Sequence, residues 1–318
     1  MKIKNRKGYV LALLAAICFG SIGTLSKLLS NQGLTIVSTT ILTSISFIIA
    51  GLVYALVKSP NIFKISLKAL LMCIIYGAVM SYLSKVFYLK AIAILPVAIC
   101  STIMFTMIFP TMFVSKYLFK ESITPVKIIL SVIALGGVIM ALNVFSNGAF
   151  YPLLAIIFIL ITTLLCASMN LSSNYLINKG YSALTITFYG NISLFVVLLL
   201  VQPPTKSISN IVEVIKISPS TNISLMILLS LGALGSILFF INSLKYISIT
   251  DATIILSFDP ITSTIWGFLI FGERLSNIQL LGGLIIILAV MGVSLSDSLK
   301  IKAFNVKVRG KFKRKIAA

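Results

Sequence analysis

Apolar residues in this chain fall into ten blocks, at 9–29, 34–57, 69–89, 96–118, 125–144, 150–176, 183–201, 222–245, 252–271 and 277–296. A hydrocarbon core of about 30 Å takes roughly 20 helical residues, so the pattern predicts ten transmembrane helices. Most connections are short. The longest, 202–221 (QPPTKSISNIVEVIKISPST), contains Pro203, Pro204 and Pro219 and reads as a loop with one surface helical turn.

One block breaks its own pattern. Residues 252–273, ATIILSFDPITSTIWGFLIFGE, are apolar over a membrane thickness yet carry Asp259-Pro260 inside the span. At a rise of 1.5 Å per residue, Asp259 lies about 11 Å below one surface. Acids inside membranes face a cavity or a partner rather than lipid. Pro260 lacks an amide hydrogen and frees a carbonyl near position 256. An acid, a broken hydrogen-bond ladder and the nearby Trp266 mark this as the working helix.

Composition agrees with the spans. The chain has 318 residues, 59% hydrophobic and 10% charged, with mean hydropathy +1.12. A soluble chain of this length needs more charge to cover its surface. The formal charge of +20 is concentrated at the ends of spans. Lys300, Lys302, Lys307, Arg309, Lys311, Lys313, Arg314 and Lys315 form a tail suited to anionic headgroups, with no nucleic-acid-binding motif beside them. Cys18, Cys73, Cys100 and Cys166 each sit singly in apolar runs, and there is no histidine. Neither a metal site nor a disulfide framework follows, and no cofactor is called for. MKIKNRK precedes an apolar run too long for a signal peptide, without a small-residue cleavage site, and reads as leading into a retained span.

With the N-terminus inside, twenty of the 26 Lys and Arg residues fall in inner segments and four in outer ones; Lys27 and Lys85 lie within spans. That bias predicts ten spans with both termini cytoplasmic.

The halves echo each other. YLFKESITPVKIILSVIALGGV aligns with FLIFGERLSNIQLLGGLIIILAV when Glu121 is set on Glu273, and Gly137 then meets Ala289. Thr124-Pro125 is a helix start with proline at its first position, and Ser276 with Gln279 a capping box. Upstream the register drifts, since Pro110 and Pro260 stand at different distances from their glutamates. Five spans per half is odd, so the copies lie inverted, an arrangement recurrent in transporters with the site at the repeat interface. The expected fold is all-α: residues 1–147 and 148–296 as two inverted five-helix repeats, and 297–318 as a basic cytoplasmic tail.

Segment 18–28, CFGSIGTLSKL, resembles the opening helix of the EamA family in the drug/metabolite transporter superfamily. So do YLSKVFYLKAIAILPVAI (82–99), the Asp259-Pro260 step and the GERLS turn at 272–276, an ordered set covering essentially the whole chain. The chain departs from the family pattern at Ala289, where glycine is expected, and in the shifted first-half proline. The resemblance implies a secondary transporter, often an exporter of amino acids or other metabolites, with a central cavity between the halves.

Asp259 is the first candidate, as a proton- or cation-binding acid or an anchor for a substrate amine; the plainer reading is a polar residue packed against a hydroxyl. Lys27 and Lys85, counted along straight helices, fall about 27 and 24 Å above Tyr9 and Ala69, near the outer face. Snorkelling explains both, and neither pairs with Asp259; their functional reading is attraction of carboxylates at an outer vestibule. Trp266, Phe105, Phe109, Tyr82, Phe239 and Phe240 are candidates for a cavity wall, each also explained by core or lipid contact. Pro110 and Pro260 are the expected helix breaks. Ala12, Ala16, Gly20 and Thr24, with Gly136-Gly137, Gly282-Gly283, Gly232 and Gly235, suit close helix packing. Glu121 and Glu273 sit at membrane surfaces, where a nearby helix start accounts for them.

No GxxxxGK[ST] is present, so an ion or substrate gradient would supply the energy. Intramembrane catalysis lacks materials, since Asp259 is the one acid of six read as well inside a span. A flippase for a lipid-linked or other amphiphilic substrate is the alternative; a scaffold or receptor leaves the repeat unexplained. The expected partners are a small-molecule substrate and membrane lipids, not nucleic acid, and a homodimer is an allowed assembly. Abundant Ile, Lys and Asn suggest an AT-rich bacterial genome, hence a bacterial plasma membrane.

Overall fold

A chain crossing lipid must satisfy its backbone internally, which favours helices. The computed structural model describes residues 6–57, 63–92, 94–95, 100, 103–141, 152–271 and 276–292, and every regular element among them is helical. In order these are α1 (Arg6–Asn31), α2 (Ile36–Val57), α3 (Leu67–Ile74), a π-helical turn (Ile75–Ser81) and α4 (Tyr82–Ile92). Then come α5 (Ile108–Leu118), α6 (Pro125–Ala141), α7 (Leu153–Asn178), α8 (Ala183–Val201) and α9 (Pro204–Ile217). The series ends with α10 (Pro219–Ser243), α11 (Ile249–Ile255), a 3-10 turn (Leu256–Phe258), α12 (Asp259–Phe271) and α13 (Asn277–Gly292). Among the described residues, seven helices are long and apolar enough to cross a membrane, two of them running through the π and 3-10 turns. Three more, 103–118, 125–141 and 277–292, are apolar but shorter. The expected tail, 297–318, lies outside the described residues, as do Glu273 and Arg274.

Local chemistry sets the ends. Gly33 and Gly180, both at φ +92°, follow α1 and α7. In each case the next amide reaches back five residues, Leu34 to Leu29 at 3.0 Å and Tyr181 to Leu176 at 3.2 Å. This is a Schellman ending, which needs a left-handed residue that glycine adopts without strain. The opening helices of the two halves therefore terminate alike, NQGL beside NKGY. α6 begins at Pro125, and Ser276 and Gln279 form the expected box, with bonds of 2.8 and 3.3 Å.

The long connection is not a loop. α9 fills it, with Pro204 and Pro219 each in the first turn of a helix, a place where the missing amide costs nothing. Its inner face buries Ser207 and Val214, and Asn210 clamps the α1–α2 turn by bonds to Gly33 and Thr35, both 2.9 Å. The prolines bound a helix of 14 residues where the sequence reading expected a loop with a single surface helical turn.

The small residues work as close contacts. Ala12, Ala16, Gly20 and Thr24 are all buried on α1, which packs along α10 and α12. A Cβ on Gly20 would meet the Thr262 hydroxyl and the Ser263 amide of α12. Gly137 on α6 and Gly282 on α13 abut backbone to backbone in the same way.

Candidate functional site

Two helices break at corresponding places. Pro260 cannot donate to the Leu256 carbonyl four residues back, so the chain tightens there into the 3-10 turn and Leu256 accepts from the Asp259 amide instead. Pro110 likewise leaves Thr106, whose carbonyl accepts from Phe109 at 3.0 Å, and α5 starts only after a turn at Thr106–Met107. Both expected breaks are present.

Between the broken helices lies a cavity of about 470 Å³. α1 contributes Phe19 and Ile22, α7 Thr162, Cys166, Asn170 and Ser173, and α10 Phe240 and Ile241. The two breaks contribute Phe105 and Met107 on one side and Leu256 and Asp259 on the other. Asp259 stands in the first turn of α12, where the helix dipole favours a negative group, and its Oδ1 accepts from the Ser263 hydroxyl at 3.3 Å.

Lys85 lines the same cavity, with Ser84 and Tyr88. Straight-helix counting put it in an outer vestibule, away from Asp259. The helix is not the straight one that counting assumed: a π turn at Ile75–Ser81 precedes Lys85, and such a turn changes the facing of the residues after it. Gly77, within that turn, lets it pack closely on α8: a Cβ there would run into the Gly190 carbonyl and the Ser193 hydroxyl. Among the described residues, neither Asp259 nor Lys85 has an ion-pair partner. An acid and an amine thus line one enclosure, neither in an ion pair among the described residues.

Other candidates separate. Phe105 and Phe240 are on the wall. Tyr82 lies off the Ser84, Lys85 and Tyr88 side of α4 and packs against Ile41, Leu194 and Leu198. Trp266 is two turns beyond Asp259 on α12, 37% exposed and not on the wall. Lys27 is exposed, one turn before the end of α1, where snorkelling accounts for it. Phe109 and Phe239 are also off the wall. A wider depression of about 820 Å³ lies between α2 and α10, but no charge lines it.

A second polar cluster was missed. Lys127 on α6 forms an ion pair with Asp251 on α11 at 2.5 Å, with both side chains buried. Lys127 also donates to Ser248 at 3.1 Å. Glu121 accepts from the Ile249 amide at 3.0 Å and from the Thr250 hydroxyl at 2.9 Å, and Ser115 meets Thr250 at 3.2 Å. Asp251 fell one residue outside the predicted span, and Lys127 counted as a surface charge. Glu121 does stabilise a helix start, but across the repeats and not on its own strand of sequence. The spacing Ser248-x-x-Asp251, a cap followed by an acid in the first turn, is the signal that marks this helix start.

The two breaks around one cavity point to a repeat architecture, and comparison decides which. The model of the EamA-like transporter family matches residues 6–143 and, a second time, residues 153–295. The chain belongs to the EamA family. It is a multi-pass membrane protein of the drug/metabolite transporter superfamily, built as an inverted repeat with one family unit per half. A crystal structure described only as that of a protein is similar to this EamA chain with TM-score 0.73 and 12% identity, covering 91% of this chain and 96% of that one. At that identity the likeness speaks for the fold. No curated protein matches the chain.

Proposed function

We propose that this EamA protein is a secondary active transporter that exports small metabolites such as amino acids across a bacterial plasma membrane by alternating access of its two halves. Ten spans with both termini cytoplasmic complete the reading, supported by the charge bias. The observation that carries it is the acid and the amine, Asp259 and Lys85, in one cavity beside two proline breaks. Half-helix ends at a cavity between repeats are where transporters hold substrates. Asp259 takes the ammonium of a zwitterion and Lys85 its carboxylate, while Phe105, Phe240 and Met107 receive the apolar part. The basic tail rests on anionic headgroups.

A flippase is the second reading, drawing on the uncharged depression between α2 and α10, which suits an acyl chain. Counterflow into liposomes holding the purified protein, across amino acids, amines, nucleosides and sugars, separates the two. Exchange of amino acids supports the proposal. Silence across the panel, together with translocation of a labelled lipid, would replace it with the flippase.

A further inference from the structure

We propose that the Lys127–Asp251 pair, with Glu121 seated on the start of α11, is a latch that closes one end of the cavity and opens by a swing of α11 about the 3-10 turn. The inference rests on the transporter reading, since a closed end needs a reason to open.

Three observations carry it. The latch joins the halves: Ser115, Glu121 and Lys127 belong to the first, and Ser248, Thr250 and Asp251 to the second. Every link named above runs between these two sets, so the cluster ties the repeats together. Second, it lies at the end of the bundle where α1 begins. Tyr9 packs with Ile108, Ala134, Ile254 and Ala289 just inside it, and Gly8 lies against Ile247. Asp251 is eight residues before Asp259, about 12 Å along the axis, so the cluster sits below the cavity floor. Third, α11 is a seven-residue helix between this cluster and the 3-10 turn. A segment fixed polar at one end and weakened at the other is suited to rotate as a unit, since hinges are short element-terminal stretches that absorb φ/ψ change.

The energetics favour two discrete states over gradual loosening. A buried ion pair is costly to break halfway, because each charge left alone in an apolar surrounding is unfavourable. Released together into water at an open mouth, Lys127, Asp251 and Glu121 are all solvated. The same groups thus serve as a dry clasp when closed and a wet rim when open.

The test locks and reports. Ser115 and Thr250 have side-chain oxygens 3.2 Å apart, close enough for a cysteine pair at these positions to be tried as a disulfide. Ser115→Cys/Thr250→Cys is made in the full chain with Cys18, Cys73 and Cys100 replaced by alanine, leaving Cys166 on the cavity wall as reporter. In oriented liposomes, a membrane-impermeant maleimide is applied from either side, before oxidation, after oxidation and after reduction. Oxidation is expected to cut Cys166 labelling from the side where α1 begins at least tenfold, to leave labelling from the opposite side unchanged, and to be reversed by reduction. Lys127→Met/Asp251→Leu, which leaves no lone charge, is expected to raise labelling from the α1-start side at least threefold. Equal labelling of the oxidised and reduced forms from that side would overturn the latch, as would a double substitution that changes nothing. Labelling needs no substrate, so it judges the latch by itself, whereas counterflow judges the transporter reading.

Discussion

Two acids stand eight residues apart on one interrupted helix and have opposite fates. Asp251 is wholly buried and held by Lys127, with Ser248 and Glu121 completing the surrounding polar network. Asp259 borders a cavity, accepts one bond from Ser263, and has no cation against it among the described residues. The first is an acid paired within the protein; the second faces a cavity with a hydroxyl as its side-chain partner, which is what the proposed function builds on. Lys127 and Lys85 divide in the same way. A charge compensated by its own chain holds structure, whereas on the proposed function one facing the cavity is where a ligand would be selected.

The comparison is broken most forcefully at the satisfied pair. Lys127→Met alone strands a buried Asp251 and is expected to cost about 3–5 kcal/mol, read as a lowered Tm in detergent. Lys127→Met/Asp251→Leu should recover most of that loss; a single variant as stable as wild type would mean that the pair is not a structural unit. At the cavity the expectation reverses. Asp259→Asn should insert and melt like wild type but lose transport of amine-bearing substrates by about 100-fold, within the roughly 2–5 kcal/mol for truncating one partner of a buried charge pair. Unchanged, still pH-dependent transport by that variant would remove Asp259 from the mechanism.

Lys85→Gln sharpens the contrast. We expect about tenfold weaker exchange of carboxylate-bearing substrates, roughly 1.4 kcal/mol, with amines lacking a carboxylate little affected. An equal loss for both would assign Lys85 to folding instead. The smallest effect belongs to Trp266→Phe, which should leave transport and Tm within about 0.5 kcal/mol of wild type, as for a side chain outside the cavity. A large loss there would place the indole in the pathway.

Much of this was legible in the chain. The apolar blocks fall on described helices, Pro110 and Pro260 fall where helices are interrupted, and the echo between the halves agrees with the family model matching twice. Three features were not. The π turn at Ile75–Ser81, which precedes the cavity-lining Lys85, leaves no composition signal. The Lys127–Asp251 pair joins residues 124 positions apart, which periodicity along one helix does not reveal. α9 was hidden because prolines at Pro203, Pro204 and Pro219 read as breakers when two of them occupy first-turn positions. The matching ends NQGL and NKGY were visible all along, and their glycine endings mark the repeat as well as the glutamates do.

The most direct test of the central claim pairs cuts in the substrate with cuts in the protein. Counterflow is measured for an α-amino acid, its decarboxylated amine and its deaminated acid, each with wild type, Asp259→Asn and Lys85→Gln. If Asp259 holds the ammonium and Lys85 the carboxylate, Asp259→Asn abolishes discrimination against the deaminated acid and Lys85→Gln abolishes discrimination against the amine, a coupling that only contacting groups produce. If both variants keep the wild-type order of preference, these two charges do not hold the substrate and the account of the cavity is wrong.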